Sequence, residues 1–295
     1  MTSKRLAATV AAVVTALSVF TACSTSVASS RSGATASPTA SNSPDLFQGS
    51  GVLNEASPMA ASSSPTLWLN SGGLLDIRDG TAQTIQGDLP PGSYWRQEYR
   101  HEGGESQVGS DNGLHPQNLF RLICRQQVTD PIVQFYVRIN KVNLSADPER
   151  NAWSGVFAMS QYADNGDTLY YAGIRMDGTA VIKKKQVNIP GDHYADALAQ
   201  VPLQFVNGVY NRTTNPNLLP LHTWIGLRSV VDSLAAGVDR IQLYIDVGRT
   251  GHWSIIASAI DRQAGGVPAI TAPGFTGIRT DFMDATFQGF EISQT

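Results

Sequence analysis

The stretch Thr168–Lys185, TLYYAGIRMDGTAVIKKK, decides the fold. Two runs of aliphatic and aromatic residues flank Asp177-Gly178, a pair typical of a two-residue hairpin turn, because that turn needs positive φ at both positions. Such a turn fixes the register and predicts that Tyr171 faces Lys184. One face of the hairpin is then apolar near the turn, while the other carries Arg175, Tyr171 and Lys184. This pattern predicts a sheet that is covered on one face and open on the other.

Further short runs with apolar residues at every second position predict more strands. No amphipathic helix of convincing length is apparent, and 27 glycines and 15 prolines separate the runs. Many short antiparallel strands predict an all-β sandwich or jelly roll in one domain, residues 66–295. The clearest alternating runs are Tyr94–His101, Phe120–Arg125, Ile132–Ile139, Trp224–Ser229 and Arg240–Val247.

The overall charge excludes one class of partner. The chain has 295 residues, 21 Lys and Arg against 24 Asp and Glu, and a net charge of -3. Such a balance gives no general attraction to nucleic acid. We therefore expect no nucleic-acid partner, and we expect a monomer.

The N-terminal residues predict export. Lys4 and Arg5 precede the apolar run Leu6–Phe20, and Phe20-Thr21-Ala22-Cys23 resembles a bacterial lipobox, in which the first residue is usually leucine. The resemblance implies a signal peptide over residues 1–22 and an acylated Cys23, so that the protein is anchored outside the cytoplasm; simple secretion is the alternative. Residues 23–65, rich in Ser, Ala, Thr and Pro, are expected to be a disordered tether.

Several motifs resemble those of a family of secreted bacterial proteins with a concanavalin A-like lectin/glucanase jelly roll. The resemblance extends from Tyr94 to the C-terminus and implies the fold rather than an activity, because this scaffold carries lectins, hydrolases and lyases. Glucanases of this fold place their two carboxylates in a Glu-x-Asp-x-(x)-Glu strand, which this chain lacks. The motifs are RQEYRH, NLFRLICR, KVNLS, IRMDGTAVIKKK, NPNLLP, TWIGLRS, LYIDVGRTGHW and GIRTDFMDATFQGFEI.

Cations and tyrosines alternate on the predicted polar faces. Arginine binds carboxylates through paired hydrogen bonds and tyrosine packs on sugar rings, so this composition favours an acidic carbohydrate as ligand. Solvated surface arginines are the alternative interpretation. The candidate substrate-binding residues on these faces are Tyr136, Arg138, Tyr171, Arg175 and Lys184, with Arg121 and Arg125 beside them.

A second resemblance concerns Arg96, Glu98 and Arg100, whose spacing is similar to the Arg-Ser-Glu-x-Arg strand of alginate-lyase jelly rolls. It implies that Arg96 binds a uronate carboxylate, supported by Glu98 and Arg100, while His193 or Tyr194 supplies acid/base catalysis. The other lyase motifs are absent as such. A surface ion network is the alternative for these three residues.

No metal or cofactor is expected from the histidines, whose spacing does not match a metal site. Asp281 and Asp284, near the last strand, are candidates for a structural Ca²⁺. We therefore expect an anchored carbohydrate-binding domain whose ligand is an acidic polysaccharide. The alternatives are a polysaccharide lyase and a non-catalytic structural or adhesive domain, so whether the protein is an enzyme stays open.

Overall fold

The computed structural model describes residues 43–101, 111–163 and 166–295. Within these ranges it contains two antiparallel sheets that pack face to face, with two short α-helices and a few 3₁₀ turns. The predicted all-β sandwich is therefore confirmed, with the architecture of a jelly roll. No described helix has the length and the apolar character needed to cross a membrane.

The first sheet has eight strands, which are hydrogen-bonded in the order β1-β3-β4-β15-β6-β11-β12-β13. Every neighbouring pair is antiparallel. The strands are β1 (Ser50–Asn54), β3 (Leu74–Arg78), β4 (Thr81–Thr84), β6 (Pro131–Val142), β11 (Trp224–Ala235), β12 (Val238–Val247), β13 (Ser254–Asp261) and β15 (Met283–Gln294).

The second sheet has seven strands in the order β10-β9-β8-β7-β14-β5-β2, again antiparallel throughout. Its strands are β2 (Leu67–Ser71), β5 (Phe120–Val128), β7 (Gly155–Tyr162), β8 (Leu169–Arg175), β9 (Thr179–Lys185), β10 (Ala199–Pro202) and β14 (Gly274–Thr280).

The core lies between the two sheets. On β6, Phe135 and its inward neighbours at alternate positions are fully buried, as the alternation predicted. Phe120 of one sheet stacks on Phe287 of the other, with ring centroids 5.7 Å apart, and Phe135 meets Phe287 edge-on at 6.2 Å. Burial of such large side chains is the main force that holds the sheets together.

The hairpin of β8 and β9 exists, but the predicted register is wrong by one residue. β8 ends at Arg175 and β9 begins at Thr179, so three residues form the turn, and the Gly178 N–H donates to the Arg175 carbonyl over 3.0 Å. Gly178 has φ +81°, which a residue without Cβ adopts readily. Tyr171 consequently faces Lys183 instead of Lys184. Because side chains alternate, this shift exchanges the faces of the three lysines.

The segment Tyr94–His101 forms α1, which corrects its prediction as a strand. Ser93 precedes the helix, and its hydroxyl accepts a bond of 3.4 Å from the Arg96 N–H, as a capping residue does. Trp95 and Tyr99, four residues apart, pack edge-on at 6.4 Å, which is a helical spacing. Tyrosines and arginines gave the segment an alternation that also fits one side of a helix.

The folded domain begins before residue 66, so the predicted tether over 23–65 is too long. Phe47 is completely buried and packs against Phe290, with ring centroids 5.6 Å apart. Strand β1 pairs with β3 along its whole length and buries Leu53. These two apolar side chains provide the burial that the surrounding small residues lack.

The second helix, α2 (Pro148–Trp153), is capped by Asp147, whose carboxylate accepts hydrogen bonds from two backbone N–H groups.

Candidate functional site

A cavity of about 260 Å³ lies on the outer face of the seven-stranded sheet. Its floor and walls come from four adjacent strands, and the end of α2 and the loops after β9 and β14 provide the rest. The strand residues are Phe157, Tyr171, Arg175, Val181, Lys183 and Arg279, and the others are Trp153, Asp192, Tyr194 and Asp281.

The floor depends on strand register. Arg279 on β14 is opposite Phe157 on β7, and Phe157 is opposite Gly173 on β8. A Cβ at Gly173 would lie 2.7 Å from the Phe157 ring and 2.1 Å from the Val156 carbonyl oxygen. Only glycine therefore allows the Phe157 ring to lie across the neighbouring strand and form an apolar floor.

Arg279 holds one wall in place. Its Nε and Nη2 atoms each lie 3.0 Å from Asp281 Oδ1, and its Nη1 donates to the Tyr171 hydroxyl over 2.8 Å. Burial disfavours the charge, yet the adjacent Asp281 carboxylate keeps the pKa of Arg279 above its usual value. Arg279 is thus a neutralised cation that positions Tyr171.

Two tyrosines form the aromatic part of the cavity. Tyr194 stacks on Tyr171 with centroids 6.3 Å apart and planes inclined by 23°, and Phe157 meets Tyr171 edge-on at 6.1 Å. Burial raises the pKa of Tyr171, against the opposing effect of Arg279. Tyr171 therefore keeps its proton at neutral pH and acts as a hydrogen-bonding group rather than as an anion.

Lys183 and Arg175 supply the cationic side. The Lys183 ammonium lies 4.5 Å from the centroid of the Tyr194 ring, and within the described part of the chain it has no ion-pair partner. Burial and the charge of Arg175 lower the pKa of Lys183, whereas Asp192 at the rim raises it. Arg175 pairs with Asp177 over 2.6 Å, and its buried Nε has no hydrogen-bond partner among the described atoms. Both side chains can bind an anion.

Three of the residues predicted from the sequence meet in this cavity, namely Tyr171, Arg175 and Tyr194. His193, the other candidate acid/base residue, does not line it. The His193 ring lies beside the Ile189 carbonyl, with Nδ1 at 3.1 Å from the oxygen, and its backbone has φ +67°. The ring is thus bound to its own loop.

Lys184 was predicted to bind substrate, and the structure contradicts this. The side chain is completely buried, with its ammonium 2.8 Å from Asp261 Oδ2. It also donates to the carbonyl oxygens of Val267 at 2.9 Å and Pro268 at 2.7 Å. The one-residue change of register is the reason, because it points Lys184 into the sandwich and Lys183 outward. Lys184 is a structural residue.

Tyr136 and Arg138 lie on the outer face of the other sheet, on β6. The Tyr136 hydroxyl donates to Asp246 over 2.9 Å, and burial with this bond raises the pKa of Tyr136 to about 12. The Arg138 guanidinium packs over Trp224 at 5.1 Å. The single cationic face expected from the sequence is therefore divided between opposite sides of the molecule, and these two residues are separate from the cavity.

Arg96, Glu98 and Arg100 are on α1, and none of them lines the cavity. The Arg96 Nη1 donates to the Leu89 carbonyl over 2.6 Å. Because these residues are helical, their spacing does not place them on one face as it would in a lyase strand.

The sequence interpretation missed Lys183, Arg279, Phe157 and Trp153. Lys183 was assigned to the inner face by the incorrect register. Arg279 could not be aligned with Phe157 from the sequence, since strand order cannot be read from alternation. The exposed Trp153 ends a short helix whose start is indicated in the sequence by Asp147-Pro148, a capping residue followed by proline.

The predicted calcium ligands have other partners. Asp281 pairs with Arg279, and Asp284 accepts bonds from Gly87 N–H at 2.7 Å and from the amide nitrogens of Gln117 at 2.7 Å and Asn143 at 2.8 Å. Donors that point at a carboxylate occupy the positions a cation would need. In residues 43–101, 111–163 and 166–295, no group of three or more His, Cys, Asp or Glu residues is arranged to hold a metal.

Comparisons with known proteins give fold-like similarities without a family. No family model matches the chain, and no curated protein matches it. Among solved structures, a carbohydrate-binding module, CBM66 from Bacillus subtilis, is 10% identical, with 78% of this chain and 96% of that one covered and a TM-score of 0.46. The VIP36 exoplasmic/lumenal domain is 9% identical, with 83% and 89% covered and a TM-score of 0.40.

Porphyranase B from Zobellia galactanivorans is also 9% identical, with 84% of this chain and 90% of that one covered and a TM-score of 0.39. Similarities in chain trace of this size do not identify a ligand or a site.

Proposed function

We propose that this protein binds an acidic carbohydrate in the cavity of the seven-stranded sheet. The observation that carries the proposal is Lys183, a partly buried ammonium that lacks a carboxylate partner among the described residues and lies over the Tyr194 ring. Asp192 at the rim is the nearby counter-charge but is not within ion-pair distance, so the partly desolvated ammonium can still gain a direct pairing from a ligand anion.

The other cavity residues support the same chemistry. Stacked Tyr171 and Tyr194 offer apolar ring surface with hydroxyls at the edge, which suits the C–H and O–H groups of a sugar. The unpartnered Nε of Arg175 is a second donor for a carboxylate. A concave, largely apolar site with a few convergent polar groups is the usual form of a small-ligand site.

An array of neutral and uronate-containing oligosaccharides tests this proposal, with the chain purified from Cys23 to Thr295. We expect binding to uronates, and Lys183→Met should weaken it about tenfold to a hundredfold, as expected for loss of one charge-assisted hydrogen bond. Lys141→Met, on the other sheet and 3.5 Å from Asp88, is the matched control and should bind as the parent does. Equal binding by all three proteins would contradict the proposal.

A polysaccharide lyase is the second candidate, because Tyr194 stands in the cavity beside a cation. In that reaction Tyr194 would remove the proton next to the uronate carboxylate and return it to the leaving glycosidic oxygen, as the C–O bond to that oxygen breaks and a C=C bond forms in the sugar. Lys183 or Arg175, rather than Arg96, would neutralise the carboxylate. Absorbance of the conjugated product distinguishes the lyase from a binding domain. If no glycan binds, the structural or adhesive alternative is favoured.

We also propose that Cys23 anchors the protein outside the cytoplasm. The lipobox-like sequence before Cys23 supports this. The chain has only one other cysteine, Cys124, which is buried in the core. Acylation of Cys23 would exclude a Cys23–Cys124 disulfide, so the two states are alternatives. Mass spectrometry of the N-terminal peptide from membranes decides between an acylated, an unmodified and a disulfide-bonded Cys23.

A further inference from the structure

We infer that the cavity accepts one terminal acidic sugar residue, so that the protein recognises chain ends rather than internal segments of a polymer. This inference rests on the proposed function and adds the part of the ligand that is bound. Three features of the cavity carry it, namely its size, the covered sheet face around it, and the aromatic residue at its mouth.

The cavity is small. Its volume of about 260 Å³ falls just below the range of roughly 300–1,000 Å³ that is typical of drug-sized ligands. A space below that range favours one sugar ring inside the cavity over a longer oligosaccharide.

The sheet face on one side of the cavity is covered. Beyond Tyr171 and Val181, the outward side chains of the seven-stranded sheet form a second apolar cluster that is buried under other parts of the chain. Trp68 is 2% exposed, and its indole donates to the Ala56 carbonyl over 2.7 Å. Among the residues that the structure describes, no open groove therefore runs along this face on that side. The buried members of this cluster are Trp68, Ile123, Phe157, Met159, Tyr162, Leu169, Tyr171 and Val181, with Ala56, Met59, Tyr194 and Phe275 packed against them.

The polarity of the cavity orients the terminal residue. Arg175 is only 9% exposed and Lys183 is partly buried, so the anion-binding groups lie inside. Trp153, at the end of α2, is 61% exposed and belongs to the rim. A carboxylate can thus meet the two cations while the second sugar ring passes over the Trp153 indole and the rest of the chain extends into solvent.

Calorimetric titration with a length series tests this inference. The probes are the methyl glycosides of glucuronic, galacturonic and mannuronic acid and the corresponding oligomers of two to six residues. We expect the methyl glycoside to bind and to compete with the oligomers. Affinity should rise about three- to tenfold from one to two residues, as one aromatic contact provides, and then remain constant.

A second measurement counts binding sites on a polymer. Partial hydrolysis of a bound polyuronate should increase the number of sites per unit mass in proportion to the number of chain ends. Trp153→Ala should lower the affinity for the dimer by a larger factor than the affinity for the methyl glycoside, so that the dimer-to-monomer affinity ratio falls towards one. Trp68 is buried, so replacing it would also disturb packing and it cannot serve as a control. The matched control for Trp153→Ala is Trp224→Ala, on the opposite sheet.

The outcomes separate the two proposals. Affinity that continues to rise up to six residues, with sites proportional to polymer mass, would overturn end recognition and leave acidic-carbohydrate binding intact. Absence of binding to every uronate would overturn the proposed function and this inference together. Competition by the methyl glycoside, a plateau at two residues and sites proportional to chain ends would support both.

Discussion

Replacing Lys184 by methionine is the sharpest test of the structure. Methionine has a similar length and removes the charge, which leaves the Asp261 carboxylate buried without its cation 2.8 Å away. Lys184 and Asp261 are both completely buried. Removing one member of a buried ion pair typically costs about 3–5 kcal/mol, because the remaining charge is left uncompensated. The Val267 and Pro268 carbonyls also lose a donor.

The lost free energy of unfolding is measurable by urea denaturation, and the change in Tm by thermal denaturation, each followed by circular dichroism. For a domain of this size each kcal/mol lowers Tm by about 2–4 °C, so Lys184→Met should lower it by about 6–20 °C. Lys183→Met is the matched control in the adjacent position. Lys183 has no described ion pair, so this variant should change the free energy of unfolding by less than about 1 kcal/mol.

A double variant separates the uncompensated charge from general damage to packing. Adding Asp261→Asn to Lys184→Met removes the buried negative charge. The asparagine Oδ1 can still accept from the Ala264 N–H, and the Tyr170 hydroxyl, which loses Asp261 Oδ2, can donate to Asp239 Oδ2 instead. We expect it to restore at least half of the lost stability. The reasoning would be refuted if Lys184→Met and Lys183→Met had equal, small effects, since the register that buries Lys184 would then be wrong.

Three further predictions concern other parts of the fold. Gly173→Ala should destabilise the protein by about 1–3 kcal/mol, because its Cβ would overlap the Val156 carbonyl, whereas Gly51→Ala, with nothing within 4 Å, should be nearly neutral in denaturation. Burial raises the pKa of Glu291 to about 7, so the folded state binds this proton more tightly than the unfolded state does. The free energy of unfolding should therefore fall by about 1–2 kcal/mol, after allowance for solvent screening, as pH rises from 4.5 to 7. Glu291→Gln should lack this pH dependence. Because N–H donors surround Asp284, Tm should be the same in Ca²⁺ and in EDTA, and a rise of several degrees in Ca²⁺ would contradict the described geometry.

The sandwich could be predicted from the sequence because its signals are local. Alternation along Ile132–Ile139 identifies the buried face of β6 without knowledge of its neighbours, and Asp177-Gly178 marks a hairpin turn. The prediction of a strand over Tyr94–His101 failed because eight residues rich in tyrosine and arginine fit both the two-residue period of a strand and the 3.6-residue period of a helix. The Ser93 cap and the pairing of Trp95 with Tyr99 favour the helix, and both could have been weighed from the sequence.

The site could be predicted only in part, because it depends on which strands are neighbours. Tyr171 and Arg175 were found on the hairpin itself. Arg279 joins them across β7, which pairs with β8 on one side and β14 on the other, and this order is a property of the whole sheet. Tyr136, like Tyr171, is a tyrosine on the outward face of a strand, yet it lies on the opposite side of the molecule. Alternation identifies an outward residue without saying from which sheet it points.

The three consecutive lysines of β9 point in different directions and have different roles in stability and in the proposed binding. Lys184 is bound inside the sandwich by Asp261, Lys185 pairs with Asp167 at the periphery, and Lys183 faces the cavity. Because side chains alternate, the buried ion pair of Lys184 fixes the direction of both neighbours. A one-residue slip of β9 would remove Lys183 from the cavity and expose the buried ion pair. The stability of the Lys184–Asp261 pair therefore also maintains the cation on which the proposed carbohydrate binding depends.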